Sequence, residues 1–154
     1  MKPMNWINLF GLIIVILILL PNLIYFYRSR SVEINHKNKA MNVLEQIGRY
    51  GSMFLLAVNV GFNEFAFQSE GEFTLCLVIT SILILLYWSF WLIYFKKTSI
   101  FTSMMLAILP GILFISQGIF LRYWLLLGTS IMFSIAHCYI TYHNARLNST
   151  VKRK

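Results

Sequence analysis

Residues 73–95 read FTLCLVITSILILLYWSFWLIYF, a run of 23 residues without a charged side chain. A helix needs about 20 mainly apolar residues to cross the hydrocarbon core of a bilayer. This stretch is therefore predicted to be a transmembrane helix.

The composition of the whole chain excludes a soluble globular monomer. Of the 154 residues, 58% are hydrophobic and 12% are charged. Soluble domains carry roughly 45–50% apolar and about 25% charged residues. So few charges cannot cover the surface of a small soluble domain, and intrinsic disorder requires low hydrophobicity. We therefore expect an integral membrane protein.

Further apolar runs separate when the chain is divided at its charged residues. The predicted transmembrane helices have these approximate residue ranges: 5–27, 50–67, 73–95, 100–121 and 123–142. The first run lacks the small-residue cleavage site of a signal peptide, so we expect it to be retained. The predicted fold class is all-α, an integral membrane bundle of five transmembrane helices forming a single domain.

The basic residues lie almost entirely on one side of this arrangement. The eleven on that side are Arg28, Arg30, Lys37, Lys39, Arg49, Lys96, Lys97, Arg146, Lys152, Arg153 and Lys154. The opposite side holds Lys2 and Arg122. Because short cytoplasmic loops are rich in Lys and Arg, we predict that the N-terminus is outside and the C-terminus cytoplasmic.

Two segments are predicted to lie outside the bilayer. Residues 28–49 form a cytoplasmic loop, in which apolar residues between Ala40 and Ile47 recur at helical spacing and Glu45 precedes Arg49 by one turn. We expect a short amphipathic helix there, running into the second span. Residues 144–154 are predicted to be a mobile, basic cytoplasmic tail.

Small residues mark the faces on which membrane helices approach closely. They recur at four-residue spacing in three of the spans: Ala57 and Gly61, Ala107 and Gly111, and Ser130, Ser134 and Cys138. We expect the second, fourth and fifth spans to make the tightest contacts, and the first and third to face more lipid.

A stripe of polar and small residues runs along the second span and the helix before it. Its members are Glu45, Gly48, Ser52, Asn59 and Asn63. Polar groups are costly in lipid, so the stripe should face the bundle interior. Asn59 and Asn63 either join helices through hydrogen bonds or line a polar groove that opens to the outer face.

Polar residues from several spans converge at the predicted outer face. Together with Asn59 from the polar groove, these residues are the candidates for ligand binding: Asn5, Asn8, Asn59, Asn63, Glu64, Gln117 and Arg122. Three interpretations of Arg122 are open. It forms an ion pair with Glu64, it binds the anionic group of a small molecule that the amides orient, or it snorkels to the interface. Nearer the inner face, His137 is either a proton relay or pH sensor, or a hydrogen-bond partner of a neighbouring Ser or Thr.

The sequence lacks nucleotide-binding, metalloprotease and hydrolase motifs and metal-ligand spacings. We therefore assign no catalytic residue and expect no metal or other cofactor. Enzymatic activity is left open and disfavoured. The basic residues lie at membrane boundaries, so we expect membrane lipids, and no nucleic acid, as partners.

Residues 21–25 (PNLIY), 44–50 (LEQIGRY) and 94–97 (YFKK) resemble segments of uncharacterised small bacterial multi-pass membrane proteins. This resemblance implies a multi-pass protein of the bacterial cytoplasmic membrane and no particular activity. The length and helix number are also similar to those of the tryptophan-rich sensory (translocator) proteins, which bind porphyrins and sterols. Their Trp- and Pro-rich signatures are missing from this chain, which has four Trp, so no residue roles are carried over.

Three functions are compatible with these features. The protein binds or passes on a small or lipidic ligand through the outer polar cluster, it is an accessory subunit of a larger membrane complex, or it is a lipid-modifying enzyme. A homo-oligomer or a membrane partner protein fits the small-residue faces.

Overall fold

The structure, a computed structural model, describes residues 7–28, 38–60, 67 and 69–151. Within these residues it contains five α-helices: α1 (Leu9–Arg28), α2 (Lys39–Ala57), α3 (Glu70–Lys96), α4 (Ile100–Phe120) and α5 (Trp124–Val151). The predicted all-α class and the number of helices are confirmed.

Four of the helices are long and apolar enough to cross a membrane: α1, α3, α4 and the Trp124–Asn148 part of α5. This is compatible with a membrane protein, as the composition predicts. α2 is not among them, because Glu45, Gln46 and Arg49 lower the hydropathy of its 19 residues.

The second helix differs most from its predicted bounds. α2 begins at Lys39 rather than near residue 50, and it ends at Ala57 rather than near residue 67. The predicted short amphipathic helix is the first half of this continuous helix, whose start is capped by the Asn38 side chain accepting from the Met41 N–H. At the other end Val58 is extended and pairs with Ile7, which stops the helix.

The last helix is longer than predicted. α5 continues through Val151 instead of ending near residue 142, so most of the predicted mobile tail is helical. The bounds of the other helices lie within a turn of their predicted positions, since side-chain caps fix where two of them begin. Ser69 caps α3, and Ser99 forms a capping box with Thr102 at the start of α4.

The helices run in alternating directions. At one end of the bundle, Asn8 bonds to Ala57 and Arg122 bonds to Glu72, which brings the start of α1 to the end of α2 and the start of α3 to the α4–α5 turn. We name this the Glu70 end. At the opposite end, named the Lys96 end, Tyr25 of α1 packs on Tyr94 of α3.

The most extensive contacts join α5 to α4 and α5 to α2, as predicted for the second, fourth and fifth spans. Small residues lie at both crossings. Gly48 of α2 faces Phe133, Gly111 of α4 faces Ser134, and Gly118 of α4 faces Leu127. A side chain at any of these glycines would clash with atoms of α5. Glycine at these positions therefore allows the helices to approach closely.

Candidate functional site

The structure describes four of the seven predicted site residues. Asn8, Asn59, Gln117 and Arg122 are described, whereas Asn5, Asn63 and Glu64 lie outside the described residues. The four described residues make separate local interactions at or near the Glu70 end. Asn59 is half-buried and follows directly after the extended Val58.

Asn8 joins α1 to α2. Its backbone N–H donates to the Ala57 carbonyl at 2.9 Å, and its side-chain amide donates to the Leu56 carbonyl at 3.2 Å. These are two of the carbonyls that a helix leaves without an internal partner at its C-terminus. The described contacts of Asn8 therefore cap α2.

Gln117 is fully buried between α3 and α4. Its Nε2 donates to Thr80 Oγ1 at 2.7 Å, and its Oε1 accepts from Cys76 Sγ at 3.6 Å. Both polar ends of the amide are thus occupied by α3. This arrangement makes Gln117 an interhelical hydrogen-bond partner.

Arg122 occupies the turn between α4 and α5. Its N–H donates to the Ile119 carbonyl at 3.0 Å, and the Tyr123 N–H donates to the Gly118 carbonyl at 2.9 Å. This pair of bonds forms a Schellman motif, whose left-handed position usually holds glycine. Arg122 has a φ of 51° in that position. A non-glycine residue in this conformation lowers the stability of the fold by roughly 1 kcal/mol. Arginine therefore occupies this turn at a cost in stability that glycine would avoid.

The guanidinium of Arg122 donates to Glu72 Oε1 at 3.1 Å. The predicted partner, Glu64, lies outside the described residues, and the carboxylate found here comes instead from the first turn of α3. Both side chains are substantially exposed, 45% for Arg122 and 33% for Glu72. An exposed pair contributes at most about 1 kcal/mol, so Arg122 can exchange Glu72 for another anion at small cost.

A cavity of about 250 Å³ adjoins Arg122. Its lining residues are Gly118, Ile119, Arg122, Trp124 and Leu127. All except Arg122 present apolar surface. The cavity is therefore an apolar groove with one cation on its wall.

A second cluster of polar residues lies deeper in the bundle, between α2 and α5. The predicted interior-facing stripe on α2 is confirmed for Glu45, Gly48 and Ser52, which are all buried. Ser52 Oγ lies 3.2 Å from Thr129 Oγ1 and 3.4 Å from Ser130 Oγ.

Glu45 contacts two residues: it forms an ion pair with Arg49, one turn along α2, and its carboxylate lies against the imidazole of His137 of α5. The Glu45 Oε1 atom is 2.9 Å from His137 Nδ1. The predicted Ser or Thr partner of His137 is thus replaced by a carboxylate. The sequence indicates one half of this contact, because Glu45 belongs to the stripe on α2 that is predicted to face inward.

Comparison with family models, with curated proteins and with solved structures finds no match for this chain. Functional inference therefore rests on its own residues and their geometry.

Proposed function

We propose that this protein crosses the bacterial cytoplasmic membrane five times and binds an anionic amphiphile beside Arg122, at the turn between α4 and α5. The amphiphile has a phosphate or carboxylate head and an acyl chain. The observation that carries the proposal is an arginine in a glycine-favouring backbone position, on the wall of an apolar cavity.

The distribution of residues around α2 supports a fifth span. Its buried side contains Glu45, Gly48 and Ser52. Its outward side is mainly apolar: Val43, Leu44, Ile47, Tyr50 and Phe54 are exposed there, beside the polar Gln46. A helix on the surface of a soluble protein shows the opposite arrangement. Polar groups turned inward and apolar groups turned outward suit a helix surrounded by lipid.

The direction of the helices supports the same conclusion. α1 and α3 both begin at the Glu70 end. If both cross the bilayer, the chain between them must cross back, and α2 is the helix that runs in this direction.

The charges favour one orientation. Among the described residues, the basic side chains at the Lys96 end are Arg28, Lys39, Lys96, Lys97 and Arg146. The positive-inside rule places this end in the cytoplasm, with the N-terminus and Arg122 outside.

The chemistry of the site follows from its two parts. Arg122 offers a planar guanidinium that can donate two parallel hydrogen bonds to a carboxylate or phosphate. Ile119, Trp124 and Leu127 offer apolar surface for a chain, and the first turn of α5 adds the positive end of a helix dipole. Headgroup charge and chain would therefore be bound together.

Native mass spectrometry of the detergent-released protein tests the proposal. The protein is released from vesicles of mixed phosphatidylglycerol and phosphatidylcholine, and in a second arm it is incubated with a free fatty acid. We expect retention of one anionic molecule in preference to phosphatidylcholine. Retention in the vesicle arm identifies a phospholipid as the source of the negative charge, and retention in the second arm identifies a free acid.

The informative variant is Arg122→Gly, because glycine suits the left-handed turn and the fold should be retained. Loss of one charged hydrogen bond, about 1.5 kcal/mol, should lower the retained fraction roughly tenfold. Lys97→Gln removes one positive charge from the other end of the bundle and serves as the matched control. Equal retention by Arg122→Gly and the unaltered protein would exclude Arg122 as the binding group.

A further inference from the structure

The contact between Glu45 and His137 determines which imidazole nitrogen carries a hydrogen. Nδ1 is 2.9 Å from Glu45 Oε1 and 3.5 Å from the Arg49 guanidinium. A lone pair on Nδ1 would face the carboxylate oxygen, which is repulsive. With Glu45 ionised beside the Arg49 guanidinium, the shorter contact favours an Nδ1–H that donates to Glu45. This leaves Nε2 as the atom that gains or loses a proton.

The imidazole ring is held between aromatic and charged groups. The Phe133 ring stacks on it at a centroid distance of 4.9 Å and an interplanar angle of 18°. The Arg49 guanidinium carbon lies 6.0 Å from the centre of the Phe133 ring. Aromatic faces attract cations, so the Phe133 ring stabilises an imidazolium as well as the guanidinium.

In the part of the chain that the structure describes, few other titratable groups approach this cluster. α4 carries no titratable side chain over its whole length, and α1 carries none before Tyr25. From α3, the Tyr87 hydroxyl interacts electrostatically with Arg49. On α5 itself, Cys138 is the next residue and is a half-buried free thiol.

The cluster lies well inside the bundle. Glu45 is six residues from the start of α2 and twelve from its end, and His137 is thirteen residues from the start of α5. These separations correspond to about 9, 18 and 20 Å along the helix axes. The exposed fractions of the Glu45 and His137 side chains are 11% and 20%. Glu45 and Arg49 already balance one another, so a third ionisable group is not needed for neutrality. Ionisable side chains at such depths commonly belong to proton pathways.

We propose that Glu45 and His137 form a proton-binding site within the bundle, at which Nε2 of His137 takes up and releases one proton while Glu45 stays ionised. Uptake transfers a proton from hydronium to the Nε2 lone pair, so that one O–H bond breaks, one N–H bond forms and a water molecule is released. The charge of the three-residue cluster rises from zero to plus one. This site is separate from the amphiphile site at Arg122 and does not depend on it.

Nitrogen NMR of the full chain in lipid nanodiscs tests the proposal, with ¹⁵N-labelled histidine. The chain has three histidines, and the His36→Gln, His143→Gln double variant leaves only His137. We expect the neutral ring to carry its hydrogen on Nδ1. A second hydrogen should appear reversibly on Nε2 when the sample is brought from about pH 8 to about pH 5 and back.

Glu45→Gln supplies the decisive comparison. A Gln amide can donate to Nδ1 as well as accept from it, so the neutral ring should lose its preference for the Nδ1–H form and show a mixture of both forms. His143, observed alone in a His36→Gln, His137→Gln background, should keep its form when Glu45 is changed. A neutral ring with hydrogen on Nε2 while Glu45 is intact would overturn the proposal, as would a His137 that never becomes charged in this pH range. Both can be observed without Glu45→Gln, so the test does not depend on that variant folding.

Discussion

Gly48 of α2 lies directly against the backbone of Phe133 of α5. A Cβ atom at position 48 would be 2.7 Å from the Phe133 nitrogen. This close crossing lies between two polar contacts, Glu45 to His137 on one side and Ser52 to Ser130 on the other. The glycine thus sets the separation at which the polar stripe of α2 can bond to α5.

Gly48→Ala should destabilise the bundle. The added methyl group meets backbone atoms of Phe133, which cannot rotate away as a flexible side chain can. We expect a loss of about 1–3 kcal/mol, measured as unfolding of the detergent-solubilised protein in a denaturant titration. Gly128→Ala is the matched control, since a Cβ there meets nothing within 4 Å. An equal effect of the two substitutions would mean that the α2–α5 approach is looser than described.

Gln117 and Thr80 should be energetically coupled. Their side chains share a hydrogen bond of 2.7 Å between α3 and α4. Gln117→Leu and Thr80→Val should each lower stability, and the double variant should lose less than the sum. The coupling energy should be about 0.6 kcal/mol, as for hydrogen bonds between membrane helices. Strict additivity in the double-mutant cycle would contradict this contact.

Removing one charge of the Glu45–Arg49 pair should lower the free energy of unfolding more than removing both charges. Glu45→Leu leaves Arg49 without its carboxylate and should destabilise the protein by about 1–2 kcal/mol, less than for a fully buried pair because the Arg49 side chain is 36% exposed. Glu45→Leu combined with Arg49→Leu leaves no unpaired charge at this position and should recover much of the loss. Unfolding of the single and double variants in the same detergent measures both effects. A double variant as unstable as Glu45→Leu alone would show that the carboxylate acts through another partner.

The sequence predicted the helices better where hydropathy alone determines them. The charge-free run of residues 73–95 became α3 with its bounds moved by a few residues, because Ser69 supplies a cap one turn earlier. The predicted start of the second span lies about ten residues after the start of α2 at Lys39. The first half of α2 is amphipathic, and that pattern is typical of a helix at the membrane interface. Its polar side chains become favourable only once α5 covers them, which is tertiary information.

The polar contacts were predictable in part. The inward-facing stripe on α2 followed from helical periodicity, and it led to Glu45, Gly48 and Ser52. The partner of Arg122 did not follow, because Glu64 and Glu72 flank the same predicted outer turn and sequence spacing alone cannot choose between them. The partner of His137 did not follow, because the stripe predicts that Glu45 faces inward but not which residue of a neighbouring helix it meets.

If α2 crosses the bilayer as proposed, the segments before and after it lie on opposite sides. Cysteine labelling tests this directly. In a Cys76→Ser, Cys138→Ser background, single cysteines are introduced by Asn35→Cys, Glu70→Cys, Thr98→Cys and Thr150→Cys. A membrane-impermeant maleimide applied to intact cells should label only position 70, and permeabilised cells should show all four. Labelling of positions 35 and 70 from the same side would contradict the five-span arrangement.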